Sequence, residues 1–228
     1  MICDNLRDIR RRIAEAAGQC GRDPEEIKLL AVSKKMGPEA VMEAYRCGQV
    51  MFGENFLQEA RTKIPVLDPA IRWHFIGHLQ SNKARQAAEL FTMIETVDRI
   101  KIARALDKHA GSMARNLDVL VQVNAGREKR KSGIAPENAG RFMKEIATLP
   151  HLQVRGLMTI PPWSADPEDS RPFFRELKSM AEDFRAEHLF ADSADVIVSM
   201  GMTNDFTVAI EEGATLIRIG TAIFGART

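Results

Sequence analysis

Cysteine is scarce in this chain of 228 residues, and the three present, Cys3, Cys20 and Cys47, form no CxxC pair. An odd, sparse set of this kind speaks against a disulfide framework or a structural zinc site. Charge of one sign is lacking too. Lys+Arg 32 against Asp+Glu 31 leaves +1, which gives no footprint for wrapping nucleic acid or an anionic membrane. No apolar run approaches the ~18 residues needed to span a bilayer. The N-terminal stretch stays charged through Arg12, which fits no secretory signal. What remains is ordinary globular usage, with 45% hydrophobic and 28% charged residues, and it excludes a disordered tail, a collagen-like fibre and a coiled coil. A chain this long buries roughly 70–75% of its unfolded surface, so its core needs no staples. The expectation is a soluble, cytoplasmic protein with neither nucleic acid nor membrane as partner.

Short apolar runs rich in β-branched residues alternate with segments of helical period. Strands are predicted over 27–33, 50–53, 72–76, 93–97, 118–124, 153–160, 195–199 and 216–219. They read as near-continuous apolar runs, as parallel strands covered on both faces do. Pro38 opens a helix that carries Val41, Ala44 and Tyr45 on one face and stops at Gly48. The stretch 170–189 reads as the longest helix, and Thr203 as the N-cap of another that carries Phe206, Ala209 and Ile210. One more helix precedes the first strand, with Ile2, Leu6, Ile9 and Ile13 on one side, placed to plug or flank the bottom of the fold. Eight β-then-α units in about 200 residues favour a (β/α)8 TIM barrel, in a single domain over 1–228. A doubly wound sheet is the alternative, because strand order cannot be read from periodicity.

In such a barrel chemistry sits where strands end, at the C-terminal face. The polar residues there are Ser33-Lys34-Lys35, Glu54-Asn55, Gly77-His78, Asn124, Thr159, Ser199-Met200-Gly201 and Gly220-Thr221. They lack the clustered carboxylates of a two-metal or glycosidase site. Small residues and hydroxyls after strands seven and eight suit a phosphate, although tight βα turns need small residues as well. Lys34 follows an apolar strand. A lysine desolvated in a barrel mouth offers a neutral amine for a Schiff base, whereas a plain loop lysine is a solvated cation. Strand alternation sends Lys34 and Lys35 to opposite sides, so one of them faces the mouth. Arg218 lies between Ile217 and Ile219, where a charge needs a ligand or an ion-pair partner such as Glu211 or Glu212. A Schiff-base lysine and a phosphate cup facing one mouth suggest a phosphorylated aldehyde, of which pyridoxal phosphate is the commonest cofactor.

Six stretches in register carry a resemblance: Leu30-Ala31-Val32-Ser33-Lys34, Phe52-Gly53-Glu54-Asn55, the run from Trp73 to Lys83, Gly156-Leu157-Met158-Thr159-Ile160, Ser199-Met200-Gly201-Met202, and the run from Arg218 to Gly225. Together they resemble the pyridoxal phosphate homeostasis protein family, which is similar to the barrel domain of alanine racemase, the fold type III of pyridoxal phosphate proteins. The resemblance implies that Lys34 holds the cofactor covalently as a Schiff base. Ser199, Gly201, Gly220 and Thr221 would grip its phosphate, Arg218 would face the pyridine nitrogen, Asn55 and Met158 would line the ring, and His74 would sit close by. Where many relatives have Gly-Met-Ser and an acidic pair, this chain has Gly201-Met202-Thr203-Asn204-Asp205, and Thr203 keeps the hydroxyl. The basic stretch from Arg127 to Lys131 is either a solvated loop or brings Lys131 to the cofactor.

The resemblance leaves two functions open, a reversible carrier that buffers or delivers the cofactor and an amino-acid racemase. Racemisation needs proton-transfer groups on opposite faces of the substrate. The racemases bring a tyrosine from a partner's β-domain, whereas this chain ends three residues after Gly225 and has the single tyrosine Tyr45. The expectation is therefore a non-catalytic, monomeric carrier in intracellular vitamin B6 homeostasis, with apo-enzymes that depend on pyridoxal phosphate as its partners.

Overall fold

The computed structural model describes residues 1–225. In chain order its elements are α1 (Ile2–Gln19), β1 (Lys28–Val32), α2 (Pro38–Arg46), β2 (Met51–Glu54), α3 (Leu57–Lys63), β3 (Arg72–Phe75), α4 (Ala84–Leu90), β4 (Met93–Val97), α5 (Ile100–Ser112), β5 (Leu117–Val123), α6 (Pro136–Ile146), β6 (Leu152–Thr159), α7 (Arg171–Ala186), β7 (Ile197–Ser199), α8 (Phe206–Glu211), β8 (Leu216–Ile219) and α9 (Thr221–Phe224). The strands pair in parallel, each with the next, and β1 closes on β8 from Lys28 opposite Leu216 to Ala31 opposite Ile219. A closed ring of eight is a TIM barrel and removes the doubly wound alternative. The shortest register is that of β7 with β8, which has Ser199 opposite Leu216 as its one registered pair and is carried on by backbone bonds from Thr215 to Val198, Met200 to Leu216 and Arg218 to Gly201.

Side chains alternate across each strand, so one residue set faces the helices and the other the barrel axis. Leu29, Ala31, Phe52, Trp73, Phe75, Val119, Val121, Ile217 and Ile219 join the main core beneath the helices. Leu30, Met51 and Leu216 form one cluster along the axis, and Met93, Leu120 and Met158 form a second, with Ile197 against both. The same alternation turns His74, Glu95, Gln122, Ser199 and Arg218 inward, and all five are buried. The inner row is thus mixed, apolar at one level and polar at another.

Helix α1 buries Leu6, Ile9 and Ile13 and packs against α2, α8 and α9. It therefore flanks the barrel and leaves the lower end open. At 18 residues it exceeds α7, which has 16 and stops at Ala186, short of the expected end. Helix α8 starts at Phe206 with Asp205, not Thr203, at its N-cap position. The Asp205 carboxylate is occupied in accepting bonds from the Met202 amide (2.7 Å) and the Ser170 hydroxyl (2.9 Å), which stitch α8 to the start of α7.

A further expectation, on the cysteines, is overturned. Cys3 and Cys47 form a disulfide with Cα atoms 5.5 Å apart, joining the first turn of α1 to the end of α2. They are 44 residues apart in sequence and meet only because the two helices lie side by side, so no spacing rule exposes them. Closing a loop of that length is worth about 4 kcal/mol by chain entropy, with about 2–4 typical of measured bridges. Reduction, or Cys47→Ala, should lower the calorimetric midpoint by roughly 5–15 °C. A midpoint indifferent to reductant would mean that packing alone fixes α1.

Candidate functional site at the C-terminal mouth

The chain leaves β1 in a tight turn, in which the Met36 amide donates to the Ser33 carbonyl (3.0 Å) and Lys35 adopts the left-handed conformation (φ 64°). Lys34 and Lys35 occupy the two central positions of this turn, so the turn's handedness, and not strand alternation, separates their side chains. Lys34 is half-buried and Lys35 is exposed. The turn is braced from below. Lys63 donates from Nζ to the Ser33 carbonyl (3.0 Å), Glu54 Oε1 (2.7 Å) and Glu59 Oε1 (2.6 Å). Ser33 Oγ donates to the same Glu54 oxygen (2.7 Å), and the Lys35 amide donates to Glu59 Oε1 (2.7 Å). Burial pushes the Glu54 carboxyl above its ordinary range, and the Lys63 and Ser33 bonds offset this only in part. None of this network was visible in the sequence beyond the i, i+4 spacing of Glu59 and Lys63.

Beside this turn, β2 ends in two buried acceptors that find no partner among the described residues, Glu54 Oε2 and Asn55 Oδ1. Unsatisfied buried oxygens are costly, and at a cleft they mark where a polar ligand would repay them. Gly77 holds Asn55 in place. A Cβ at Gly77 would lie 1.9 Å from the Asn55 carbonyl oxygen, so only glycine lets the chain leaving β3 press against that backbone. A hollow of about 720 Å³ opens here, lined by Asn55, Phe56, Glu59, His78 and Lys83 among others.

Across the barrel Arg218 is buried with 3% exposure. It donates to Ser199 Oγ (2.6 Å) and to the Thr159 carbonyl (2.7 Å). Ser199 Oγ in turn donates to Glu95 Oε2 (2.6 Å), and Glu95 Oε1 accepts from His74 Nδ1 (2.7 Å). Burial works against the Glu95 charge, but the His74 bond, the nearby charge of Arg218 and the Ser199 bond outweigh it and hold the carboxyl below its ordinary value. Glu211 and Glu212, the considered partners of Arg218, instead pair with Arg171, and Glu212 also with Arg175, on the outer surface. Glu95 was missed because on β4 it reads only as a polar interruption of an apolar strand.

At the ends of β7 and β8, Gly201 takes φ 87° and is packed so closely that a Cβ would lie 2.6 Å from that of Ala209. The amides of Gly201 and Thr221 donate to no acceptor among the described residues. Gly220 keeps β8 against β1, since a Cβ there would lie 3.2 Å from the Val32 carbonyl. Met158 is fully buried in an inner cluster. Lys131 donates to the Pro161 carbonyl (3.0 Å) and pairs with Glu128, so it ties its own loop to the one that follows β6.

A larger cavity, about 790 Å³, lies at the opposite, N-terminal end, where α1 leaves the barrel open. Lys28, Arg72, His74, Asp118, Arg155 and Asp195 are among its lining. Several of these charges settle among themselves, Asp195 lying 3.8 Å from Lys28 and 3.5 Å from Arg155. Among the described residues no group of three or more His, Cys, Asp or Glu is placed to hold a metal, and no helix is long and apolar enough to cross a membrane.

A barrel that carries a lysine turn after its first strand and a buried arginine on its last is of the alanine racemase N-terminal domain class, and residues 5–228 match that family. The chain is 43% identical to the pyridoxal phosphate homeostasis protein of Vibrio alginolyticus, over 99% of this chain and 97% of that one. It is 42% identical to the protein of the same name from Aquifex aeolicus, over 99% and 98%. The chain belongs to the pyridoxal phosphate homeostasis protein family. Among solved structures it is similar to PipY of Synechococcus elongatus, determined with pyridoxal phosphate bound (TM-score 0.86, 34% identity, 99% of this chain and 100% of that one). An alanine racemase of Corynebacterium glutamicum shares the fold (TM-score 0.69, 16% identity, 98% of this chain and 61% of that one).

Proposed function

We propose that this chain is a pyridoxal phosphate-binding protein of intracellular vitamin B6 homeostasis, which holds the cofactor as a Schiff base on Lys34 and buffers or delivers it without catalysing a reaction of its own. The observation that carries this reading is the convergence on one mouth of the Lys34 turn, the unsatisfied Asn55 oxygen, the Arg218 fork and the open amides of Gly201 and Thr221. The residues present fit the group. When bound, it supplies an aldehyde that condenses with the Lys34 amine with loss of one water. Gly201, Gly220 and Thr221 would hold the phosphate through backbone N–H groups, with Ser199 beside them. Asn55 and Met158 would line the ring, and His74 would support it from below.

Arg218 would face the pyridine nitrogen. A guanidinium does not give up its proton, so the nitrogen would stay unprotonated and the ring would remain a weak electron sink. That suits storage better than chemistry. Racemisation would also need a second proton-transfer group on the opposite face. The one tyrosine in the sequence, Tyr45, packs into the outer core from α2, and His74 is tied to Glu95 inside the barrel. In this reading the protein works as one barrel domain over 1–228, a cytoplasmic monomer whose partners are the cofactor and the apo-enzymes that depend on it.

The test is the absorption spectrum of the purified protein after addition of pyridoxal phosphate, then borohydride reduction and peptide mapping, with an assay for D-amino acids alongside. A yellow protein that bleaches, carries its label on Lys34 and leaves L-alanine unchanged is expected. Label elsewhere, or none, overturns the binding mode, and turnover of L-alanine overturns the carrier role.

A further inference from the structure

Inside the barrel, four side chains form one continuous line of hydrogen bonds from Arg218 through Ser199 and Glu95 to His74. All are nearly or fully buried, at 3%, 0%, 0% and 6% exposure. The proton count along this line is tight. Glu95 is an ionised carboxylate and can only accept, so Ser199 spends its single hydroxyl proton on Glu95 Oε2, and His74 must carry its proton on Nδ1. Ser199 Oγ accepts from Arg218 in return. Among the described residues no carboxylate lies within ion-pair distance of Arg218; Glu95 and Asp205 both act on this buried guanidinium through space, and of the two Glu95 is the one joined to it by hydrogen bonds, through the Ser199 hydroxyl.

We propose that Glu95 is the positioning residue for Arg218, acting through the Ser199 hydroxyl, and that this hydroxyl is thereby withdrawn from the cofactor's phosphate. The inference rests on the pyridoxal phosphate reading for its consequence, though not for its geometry. Glu95 fixes the plane of the guanidinium by holding the oxygen that one arm binds, while the Thr159 carbonyl holds the other arm. Without the carboxylate, Ser199 can rotate, its proton becomes available to other acceptors, and the fork loses one of its two anchors. The phosphate is then gripped by backbone amides, and the hydroxyl serves the ring nitrogen's partner.

Two variants and two readouts test this. In the cofactor-free protein, nitrogen-15 NMR should find the Arg218 side-chain N–H protons exchanging slowly, and Ser199→Ala and Glu95→Gln should each accelerate that exchange at least tenfold. With cofactor, both variants should shift the absorption maximum of the bound chromophore, and Ser199→Ala should weaken pyridoxal phosphate and phosphate-free pyridoxal alike by about tenfold, the scale of one charge-assisted hydrogen bond. The ratio of the two affinities should stay within twofold of wild type. A Ser199→Ala protein that loses its preference for the phosphorylated form overturns the proposal, because the hydroxyl would then be a phosphate ligand. Unchanged Arg218 exchange in Ser199→Ala overturns it as well. Glu95→Gln leaves a buried guanidinium without the counter-charge joined to it and can fail to fold, and Ser199→Ala decides in that case. If the wild-type protein takes up no pyridoxal phosphate, the functional reading falls, while the exchange measurement still decides whether Glu95 holds Arg218.

Discussion

Lys34→Ala should abolish the visible absorption and the borohydride-stable label, and weaken pyridoxal phosphate by two orders of magnitude or more, roughly 3 kcal/mol. The loss should also be seen in melting. A ligand at about 100 times its dissociation constant stabilises the native state by about 2.7 kcal/mol, and that ligand-dependent rise in midpoint should vanish in the variant. Lys35→Ala is the matched control. Its side chain leaves the same turn from the left-handed position and is exposed, so cofactor affinity should stay within about twofold of wild type. Equal losses in the two variants would mean that the turn presents a general cationic patch and not one reactive amine.

Lys63→Met should carry the largest stability cost of the substitutions considered. Lys63 and Glu54 are 4% and 0% exposed and 2.7 Å apart. Removing one member of a buried pair strands the other's charge, at about 3–5 kcal/mol. The pH dependence follows from Glu54, whose folded value lies above the ordinary 4.5 because burial disfavours its charge. A carboxyl with a raised folded value contributes fully below its unfolded value, and that contribution is lost as pH rises through the folded value. Lys63 offsets part of this loss in the wild-type protein, and Met does not. The deficit relative to wild type in urea unfolding should therefore be full at neutral and higher pH and narrow on acidification towards 4.5. Glu54→Gln combined with Lys63→Met should recover most of it. A deficit that ignores pH and the second substitution would assign it to lost packing of the lysine stem. Because Lys63 also holds the Ser33 carbonyl, the variant should bind cofactor more weakly through a loosened Lys34 turn.

The barrel was legible because it rests on local patterns, and every predicted strand forms within two residues of its expected bounds. The mouth residues were legible because a barrel places function just after its strands. What escaped depends on contacts between residues distant in sequence. Lys63 and Glu59 show nothing in the sequence beyond an i, i+4 spacing, yet they reach under β1 to brace the lysine turn. Glu95 and Ser199 are 104 residues apart and meet only when the sheet closes. The Cys3–Cys47 bridge hides in the same way. Lys34 and Lys35 show a subtler limit, since strand alternation is the wrong rule for a residue already in a turn.

The scant pairing of β7 with β8 has a consequence for exchange. The seam of shortest register runs beside Ser199, Arg218 and the open amides of Gly201 and Thr221. Local opening starts where the fewest backbone bonds must break. An anion bridging those amides would act as a clasp across the seam, added to the backbone bonds that Thr215, Met200 and Arg218 already make there. Loading and closure then become one event, and release needs only that the clasp slip, with the rest of the cylinder left intact. In the carrier reading, the cofactor would then be gripped at the seam of shortest register, where the fewest paired residues must part to let it go.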